Sequence, residues 1–516
     1  MHGMKFCIAA ASLLAAATAH ADPIVGVSTL PKISVGEYHM LLAKTDGTVW
    51  SWGWDAQGAL GLGAGTTATP TQIPTLAGVV SVVARSGYSA ALKADGTVWV
   101  WGQRGNGFMG PTDTASKVPL QVAGLSGIIG IDVGWSLGGS AYAIDLTGKV
   151  YGWGSNSYGE LGTGSATPAK VTVPKLIPGL SSIVDLRAAD TSVIALNSSG
   201  QVFQWATISQ PTPISAVSGV SGAVAIGTDA INNTNANFAV LSSGKVMSWG
   251  DTGSAVTRCG QPKQSGVTEF PPAELAGFTG ITSVSSGPDG EDVFLDTAGQ
   301  AWTCGGASGG QQGDNTTSGT STGTKVGPLK VTQTTTFVNV AMGRSAAAIA
   351  SDGSVWTWGP KGSGVQGDGD VNASGANLKP TMISINAGNP ATVQPVFAGT
   401  QGLANSDATT SVDVGVMFAP EHWNSTGKAY LAALLTNGQL YIYSPTTGWA
   451  LFDPKVQLPA VYTGGLRGML PLSIGTGDFR SLAGTQLIVA YGLGSGAAAD
   501  SEMLTKGRYQ VVLTLR

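Results

Sequence analysis

Charged residues are scarce in this 516-residue chain, at 11%, and neither sign dominates. Lys and Arg number 26 against 30 Asp and Glu, for a net charge of −4, and the basic residues form no cluster. Nucleic-acid binding requires a basic footprint on the protein, so we expect no nucleic-acid partner. Disorder is also excluded, because 42% of the residues are hydrophobic.

Long hydrophobic runs are lacking, and the longest apolar segment is a short one near residue 1. Lys5 precedes Phe6–Ala17, which is shorter than the roughly 18 residues that cross a bilayer. Ala19-His20-Ala21 then matches a signal-peptidase site. Residues 1–21 are therefore predicted to be a signal peptide, with a membrane anchor as the alternative. The mature chain is predicted to be secreted, to a periplasm or outside the cell, without a membrane span.

Cysteine and histidine are nearly absent, which restricts metal binding and catalysis. The chain has 3 Cys and 4 His, and removal of residues 1–21 leaves Cys259, Cys304, His39 and His422. In an oxidising compartment an isolated pair of cysteines predicts a disulfide. Two buried free thiols are the alternative.

Glycine is abundant, at 76 residues, and much of it belongs to an internal repeat. In each copy a turn glycine is followed, three and five residues later, by two side chains that are mostly aromatic. Copies lie about 50 residues apart, a period typical of repeat folds. The seven copies are Gly47 with Trp50 and Trp52, Gly96 with Trp99 and Trp101, Gly148 with Tyr151 and Trp153, Gly200 with Phe203 and Trp205, Gly244 with Met247 and Trp249, Gly299 with Trp302 and Cys304, and Gly353 with Trp356 and Trp358.

Each copy predicts four short strands. An apolar strand leads into the glycine turn, the aromatic strand follows with period two, and a Pro-containing segment and another strand complete the unit. One such unit cannot bury both faces alone, so seven units predict an all-β, seven-bladed β-propeller over residues 22–385. The last copy is predicted to lack inner strands of its own. Residues 31–46 are therefore predicted to complete the last blade and close the ring.

Beyond the repeat, residues 386–395 are predicted to be a linker. Residues 396–516 are predicted to form a small, β-sandwich-like domain, with a short helix at Ser501–Lys506. Asn437-Gly438 predicts a hairpin turn within it, and an eighth blade is the alternative. The predicted strands are Val412–Phe418, Lys428–Leu435, Gln439–Tyr443, Gln486–Leu493 and Tyr509–Leu515.

The units Trp50–Gly61 (WSWGWDAQGALG) and Tyr151–Gly162 (YGWGSNSYGELG) resemble the repeat of the regulator of chromosome condensation family. The lead-in Gly36–Gly47 does so as well, and the resemblance covers about residues 31–385. It implies a seven-bladed propeller. The family's nucleotide exchange on a nuclear GTPase is not expected here, because this chain is predicted to be exported and has no basic tail. Secreted β-lactamase inhibitor protein II is a closer analogue, because it is also exported. Its similar propeller serves as a protein-binding face.

Three short motifs suggest chemistry that their context does not support. Gly105–Gly110 and Gly362–Gly367 match a dinucleotide fingerprint but open no helix, so a structural role is favoured. Gly306–Gly310 matches the G-x-S-x-G elbow of hydrolases around Ser308, yet it lacks a strand–turn–helix context and a clear His partner. Asp368, Asp370 and Asn372 resemble the start of a calcium loop whose remaining ligands are missing, so a solvated loop is favoured. The prediction is therefore no catalytic residue, no cofactor and no metal, with calcium at this loop as a weak alternative.

A partner-binding patch is predicted at Tyr38, Tyr88, Trp135 and Arg344. These residues occupy comparable turns before the second strand of four copies, and such turns gather on one face of a propeller. Tyr, Trp and Arg are enriched in binding hot spots. The alternative is that they cap the blades by packing on their neighbours.

The sequence therefore predicts a secreted, non-enzymatic, monomeric binding scaffold whose partner is a protein or a surface polymer. An exported enzyme, such as a polysaccharide lyase or hydrolase, is one alternative. An inhibitor of a secreted enzyme, resembling β-lactamase inhibitor protein II, is the other.

Overall fold

The computed structural model describes most of the chain from residue 31 to residue 514. The described residues are 31–63, 65–103, 105–135, 139–189, 192–206, 211–228, 236–251, 259, 269–288, 290–305, 309–316, 328–388, 410–417, 426–453, 457–465, 469–477, 485–506 and 509–514. The predicted signal peptide, Ser308 and His422 lie outside them.

The propeller region is built from four-stranded antiparallel sheets, each made of four strands that are consecutive in the chain. We call these sheets blades 1 to 7 in chain order, and their strands first to fourth from inside to outside. The all-β propeller class is confirmed. The strands are Lys32–Val35, His39–Ala43, Val49–Gly53 and Thr67–Gln72 in blade 1; Val79–Ala84, Tyr88–Lys93, Val98–Gly102 and Ser116–Gln121 in blade 2; Ile128–Val133, Ser140–Asp145, Val150–Ser155 and Lys170–Leu176 in blade 3; Ile183–Ala188, Val193–Asn197, Val202–Trp205 and Ser215–Ala216 in blade 4; Ala223–Thr228, Ala236–Leu241, Val246–Asp251 and Glu269–Glu274 in blade 5; Ile281–Ser286, Glu291–Asp296, Ala301–Gly305 and Leu329–Lys330 in blade 6; and Phe337–Met342, Ala346–Ala350, Ser354–Pro360 and Ala376–Asn386 in blade 7.

The ring closes differently from the prediction that residues 31–46 complete the last blade, which is wrong. Lys32–Val35 pairs with His39–Ala43, and that strand pairs with Val49–Gly53, so these strands belong to blade 1. Blade 7 has first and second strands of its own. Closure uses side-by-side packing instead, because the first strand of blade 1 contacts the first strands of both blade 2 and blade 7. The count of seven for the whole protein stays a prediction, since some residues are not described.

The Asp-Gly turn between the second and third strands is fixed by its own side chains. Asp46 Oδ1 accepts hydrogen bonds from Thr48 N at 3.0 Å and Thr48 Oγ1 at 2.6 Å. Gly47 has a φ of 75°, which glycine adopts without steric cost. Asp352 and Ser354 repeat the arrangement in blade 7. The polar residue, the glycine and the hydroxyl are thus one local unit that reverses the chain.

In blades 1, 2, 3, 4 and 7 the buried tryptophan of the third strand ties the blade to the preceding one. Its indole Nε1 donates to the backbone carbonyl of the residue after the first glycine of the Gly-x-x-Gly loop in the preceding blade. We call this hydrogen bond the indole clasp. The clasps are Trp52 to Val365 O at 2.9 Å, Trp101 to Ala59 O at 2.9 Å, Trp153 to Phe108 O at 3.1 Å, Trp205 to Glu160 O at 2.7 Å and Trp358 to Gln311 O at 2.9 Å.

The clasp explains the second glycine of the Gly-x-x-Gly loops in blades 1 and 7. A Cβ atom at Gly61 would lie 2.7 Å from Trp101 Nε1, and one at Gly367 would lie 2.9 Å from Trp52 Nε1. Both glycines have a φ of 70°, which other residues rarely adopt. The two dinucleotide-like motifs contain loops of this type, as the structural alternative predicts.

The outer edge of the propeller is protected against pairing with another chain. Fourth strands are edge strands, and an edge strand exposes unpaired backbone groups. Proline has no backbone N–H and interrupts such pairing. It occurs in five of the fourth strands, as Pro70, Pro119, Pro174, Pro272 and Pro380.

The remaining described residues form a β-rich unit with one helix, Gly496–Lys506. A six-stranded sheet has its central strand at Thr426–Leu434, and two further strands form a separate two-stranded sheet. One face of the central strand packs with Met503 of the helix, and Val416 of the two-stranded sheet belongs to the cluster on the other face. The strands are Thr410–Met417 and Met469–Gly477 in the small sheet, and Thr426–Leu434, Leu440–Ser444, Gly448–Leu451, Tyr462–Gly465, Gln486–Leu493 and Tyr509–Thr514 in the large one.

The chain divides into two compact units. One comprises residues 29–93 and 97–393, and the other includes residues 394–516. The division falls within the predicted linker 386–395. Among the described residues, no helix is long and apolar enough to cross a membrane. The β-sandwich-like prediction for the second unit stays a prediction.

Candidate binding surface

Two kinds of loop share one face of the propeller. Neighbouring strands run antiparallel. The turn between the first and second strands therefore lies at the same end of the strands as the loop between the third and fourth strands. The first kind carries Tyr38 in blade 1 and Arg344 in blade 7. The second kind begins at Trp54 in blade 1. All three residues therefore lie on one face, at the junction where the ring closes.

At this junction the structure brings together Glu37, Tyr38, Trp54 and Arg344, which we call the Tyr38 patch. The Arg344 guanidinium lies 5.1 Å from the Tyr38 ring centroid and donates to its hydroxyl. Trp54 meets the Tyr38 ring edge to face, with 5.4 Å between centroids and 86° between planes. Glu37 lies 3.6 Å from Arg344. The patch is thus a connected group rather than four separate side chains.

The Tyr38 patch is accessible to a partner. Trp54 is 44% exposed, and the side chains of Arg344 and Glu37 are 43% and 32% exposed. Burial, followed by the hydrogen bond to Glu37, raises the pKa of the Tyr38 phenol above 10.0, so the hydroxyl keeps its proton at neutral pH. The patch therefore combines two aromatic rings, a cation and an anion. Arg and aromatic residues of this kind dominate binding hot spots.

Tyr88 and Trp135 do not join this surface. Tyr88 is 1% exposed and packs against Phe108, with 4.9 Å between ring centroids. Trp135 is 4% exposed and lies under the guanidinium of Arg85, 4.7 Å from its ring centroid. Both residues follow the packing alternative. Partner binding by Tyr38 and Arg344 stays a prediction.

A register difference accounts for the position of Tyr88. Tyr88 pairs with Gly102 in the blade 2 sheet, and the residue that pairs with the matching Gly53 in blade 1 is His39. Tyr88 is therefore the equivalent of His39 and not of Tyr38. A shift of one residue at a strand turns a side chain to the opposite side.

The Arg85 guanidinium that covers Trp135 belongs to a buried ionic network. The Arg85 guanidinium donates to Asp132 Oδ1 at 2.8 Å and to Val133 O at 2.9 Å. The other carboxylate oxygen of Asp132 accepts from Ala188 N at 2.9 Å, which joins blade 3 to blade 4. Burial lowers the pKa of Arg85, and Asp132 opposes that effect. The network holds the inner strands of three successive blades, and each of its charges has a partner.

His39 and Ser89 resemble a base and a nucleophile, but their geometry is structural. His39 Nε2 lies 2.9 Å from Ser89 Oγ, and Ser89 Oγ donates its single hydrogen to Ala59 O at 2.7 Å. His39 must therefore be the donor to Ser89, so its Nε2 cannot accept a proton from the hydroxyl. His39 is 1% exposed, and burial lowers its pKa to about 4. The pair links blades 1 and 2.

The calcium-like loop uses its side chains within the loop. Asp368 Oδ1 accepts from Asp370 N at 3.3 Å, and Asp370 Oδ1 accepts from Asn372 N at 2.9 Å. Lys361 lies 3.3 Å from Asp368 Oδ2. These contacts are those of a solvated turn, which is the interpretation that the sequence favours. The absence of a metal stays a prediction, with calcium at this loop as its weak alternative.

Cys259 and Cys304 form a disulfide, with 5.1 Å between their Cα atoms. Cys304 occupies the third-strand position that holds the clasp tryptophan in other blades. Its sequence separation from Cys259 is 45, the same as that between Trp153 and Phe108. The disulfide thus joins blade 6 to the loop of blade 5 where an indole clasp would otherwise lie. Among the described residues, the two sulfurs and the Asp292 carboxylate form the only group of three possible metal ligands, with their ligand atoms within 4.8 Å of one another.

Sequence reasoning missed Trp54 and Glu37. A signal for Trp54 was present in the sequence. Five copies contain a Trp-Gly pair, and the next residue is aromatic only in the first copy, whereas it is polar or proline in the other four. No sequence signal distinguished Glu37. Its place in the patch depends on Arg344, which lies in another blade.

Comparisons with known proteins agree with this architecture. Models of the regulator of chromosome condensation repeat match residues 32–59, 46–92 and 147–196. The ultraviolet-B receptor UVR8 of Arabidopsis thaliana is 25% identical over 270 residues, which are 51% of this chain and 58% of that protein. The chain thus spans little more than half the length of this relative.

Solved structures show the same fold at low identity. A chain in the crystal structure of Kap60 bound to yeast RCC1 (Prp20) matches with a TM-score of 0.54, 19% identity, and coverage of 74% of this chain and 91% of that one. Human WBSCR16 matches with a TM-score of 0.50 and 18% identity, over 64% of this chain and 88% of that one. At such identities the likeness concerns the fold alone.

Proposed function

We propose that this chain, which carries regulator of chromosome condensation repeats, is a secreted, non-enzymatic scaffold that binds a partner protein through the Tyr38 patch. The observation that carries the proposal is the patch itself: Trp54 and Arg344 are both more than two-fifths exposed, yet each is held by Tyr38. Groups held in place before binding lose less entropy on association.

A binding role is supported by the chemistry of the inner residues. The one histidine in the described residues, His39, is buried and donates to Ser89, so it offers no general base. Arg85 and Asp132 are occupied with one another and with the backbone. In the matched yeast crystal structure, the protein Kap60 is bound to RCC1. A protein partner is therefore preferred over a surface polymer, which becomes one outcome of the test.

Site-specific photo-crosslinking tests the proposal. A photoreactive phenylalanine analogue replaces Trp54 in the full chain, and the protein is exposed to the cell envelope and culture medium of its source. The matched control places the same analogue at Tyr158, which is also 44% exposed but lies in blade 3. We expect a discrete protein adduct from position 54 and none of that adduct from position 158.

The affinity for the adduct partner then measures the patch. Arg344→Ala removes both the cation and the support of Tyr38, and hot-spot truncations of this kind cost about 2 kcal/mol or more, roughly thirtyfold in Kd. Lys330→Ala is the control, because Lys330 also covers an aromatic ring, at 5.0 Å from Trp302. Equal adducts from positions 54 and 158, or an unchanged Kd for Arg344→Ala, would refute the proposal. Adducts only with polysaccharide would replace the protein partner by a polymer.

A further inference from the structure

The second unit of the chain contains a buried pair of opposite charges that the propeller function does not use. Lys428 lies in the central strand Thr426–Leu434, and Asp500 lies in the helix Gly496–Lys506. Lys428 Nζ is 3.1 Å from Asp500 Oδ1, and the two side chains are 9% and 1% exposed. Of the ion pairs in the described residues, this one joins the two most deeply buried partners taken together.

The hydrogen bonds of the Asp500 carboxylate are strongly uneven. Oδ1 accepts from both Lys428 Nζ and the Tyr430 hydroxyl. Oδ2 is buried and has no hydrogen-bond partner. Lys428 Nζ has a second acceptor, because the amide orientation that satisfies Gln457 places its oxygen 3.0 Å from Nζ and 3.2 Å from Ala497 N. An unpaired oxygen on a buried carboxylate is costly.

The side chains around the pair are mostly apolar. Tyr430, Leu458, Ile488 and Met503 belong to the buried cluster on this face of the sheet. Taking two charges out of water is expensive, and their attraction compensates for this only when the remaining hydrogen bonds are satisfied. Here one carboxylate oxygen is unsatisfied. Burial, and then Asp500, raise the pKa of the Tyr430 phenol, so its hydroxyl remains a donor.

We propose that Lys428 and Asp500 condense to an intramolecular amide bond. The ammonium transfers one proton to the carboxylate, which leaves a neutral amine beside a carboxylic acid. The amine nitrogen attacks Cγ of Asp500, while the Tyr430 hydroxyl donates to Oδ1, the oxygen on which negative charge develops. The Cγ–Oδ2 bond then breaks, and Oδ2 leaves as water with two hydrogens from the former ammonium. One C–N bond forms, one C–O bond breaks, and no redox partner is required.

The product satisfies each polar group that the ion pair leaves uneven. The departing atom is Oδ2, the oxygen without a partner. Oδ1 becomes the amide carbonyl and retains the Tyr430 hydroxyl as its donor. The single hydrogen left on Nζ has the Gln457 oxygen, 3.0 Å from Nζ in the ion pair, as its acceptor. Two buried charges disappear, and a covalent bond joins a central strand to the helix 72 residues away.

Mass spectrometry of the full, purified chain tests this bond. The wild-type mass is expected to be about 18 Da, one water, below the mass of its mature sequence with the Cys259–Cys304 disulfide formed. Lys428→Arg retains the positive charge but cannot form this amide, so its mass is expected to show no such loss. Proteolysis of the wild type is expected to give one species that contains both Lys428 and Asp500. Tyr430→Phe is expected to slow the appearance of that species at least tenfold after refolding.

The exposed ion pair Lys245–Glu274 is an internal control. Its atoms lie 2.9 Å apart, closer than the Lys428–Asp500 pair, but its side chains are 53% and 48% exposed. Its two peptides are expected to remain separate. An unmodified wild-type mass overturns the proposal. So does a water loss confined to the peptide that bears Asp500, because a cyclic imide with Ser501 would produce it. The linked wild-type peptide decides the matter even where Lys428→Arg fails to fold.

Discussion

The indole clasp between blades 7 and 1 allows the closure of the ring to be measured. Trp52→Phe keeps an aromatic ring in place but removes the indole N–H that donates to Val365 O at 2.9 Å. The chain also provides a matched control two residues away. Trp50 lies on the same strand with its Nε1 bonded to Thr48 Oγ1 at 3.2 Å, and it is only half-buried.

Trp52→Phe should cost at least about 1 kcal/mol more than Trp50→Phe. Trp52 is 0% exposed, so Trp52→Phe leaves the Val365 carbonyl without this donor in a site closed to water. An unsatisfied buried group costs about 1–3 kcal/mol. The smaller ring leaves a cavity that adds about 1–2 kcal/mol. The total is about 2–5 kcal/mol, whereas water can replace Trp50 at Thr48, and that substitution should cost about 1 kcal/mol or less.

Urea unfolding followed by far-UV circular dichroism measures both variants, because the other tryptophans would obscure a fluorescence signal. The free energy of unfolding of Trp52→Phe is expected to fall by the larger amount, with an unchanged dependence on urea. An equal or larger loss for Trp50→Phe would refute the reasoning. In that case the clasp would contribute no more than an exposed hydrogen bond.

Three further predictions concern acidity, oxidation and processing. Burial lowers the His39 pKa from 6.5 to about 4, so the unfolded state binds a proton at a higher pH than the folded state does. The free energy of unfolding should therefore fall by about 3 kcal/mol in full as the pH is lowered from about 6.5 towards 4. His39→Asn should flatten that part of the profile, as measured by urea unfolding at several pH values. The Cys259–Cys304 disulfide closes a 45-residue segment, so its reduction should destabilise the wild type by up to about 4 kcal/mol. A reducing agent should leave the stability of a Cys259→Ser/Cys304→Ser variant unchanged. Thiol labelling of unfolded, unreduced wild type would contradict the pairing. N-terminal sequencing of the exported protein should begin at Asp22, and an N-terminus at residue 1 would contradict the signal peptide.

The repeat could be predicted from the sequence because each part of it is local. The Asp46 turn depends on residues no more than two apart, and the third strand alternates between a half-buried Trp50 and a fully buried Trp52. Patterns of this kind are visible in a single chain segment. The residue types and their period therefore identify the strands and turns of a repeat together.

The closure of the ring could not be derived in the same way. A cyclic repeat looks the same wherever a unit is said to begin, so the sequence alone does not decide whether residues 31–46 start the first blade or finish the last. Hydrogen bonding decides it, because Val35 pairs with Met40 and Met40 pairs with Trp52. Glu37 was missed for a related reason. Its contact with Arg344, which lies in blade 7, depends on the closure.

The disulfide shows how the copies can diverge without opening the ring. Where blade 6 has Cys304 in place of a tryptophan, Cys259 of the preceding blade supplies the other half of the connection. Blade 5 changes only the acceptor, because Trp249 donates to the side chain of Gln204 at 2.8 Å. Since the connection between blades is retained by different chemistry, the clasp position is constrained by architecture. The loop that begins at Trp54 also contains the clasp acceptor Ala59, but Tyr38 and Trp54 themselves take part in no clasp, so their side chains remain available for a partner.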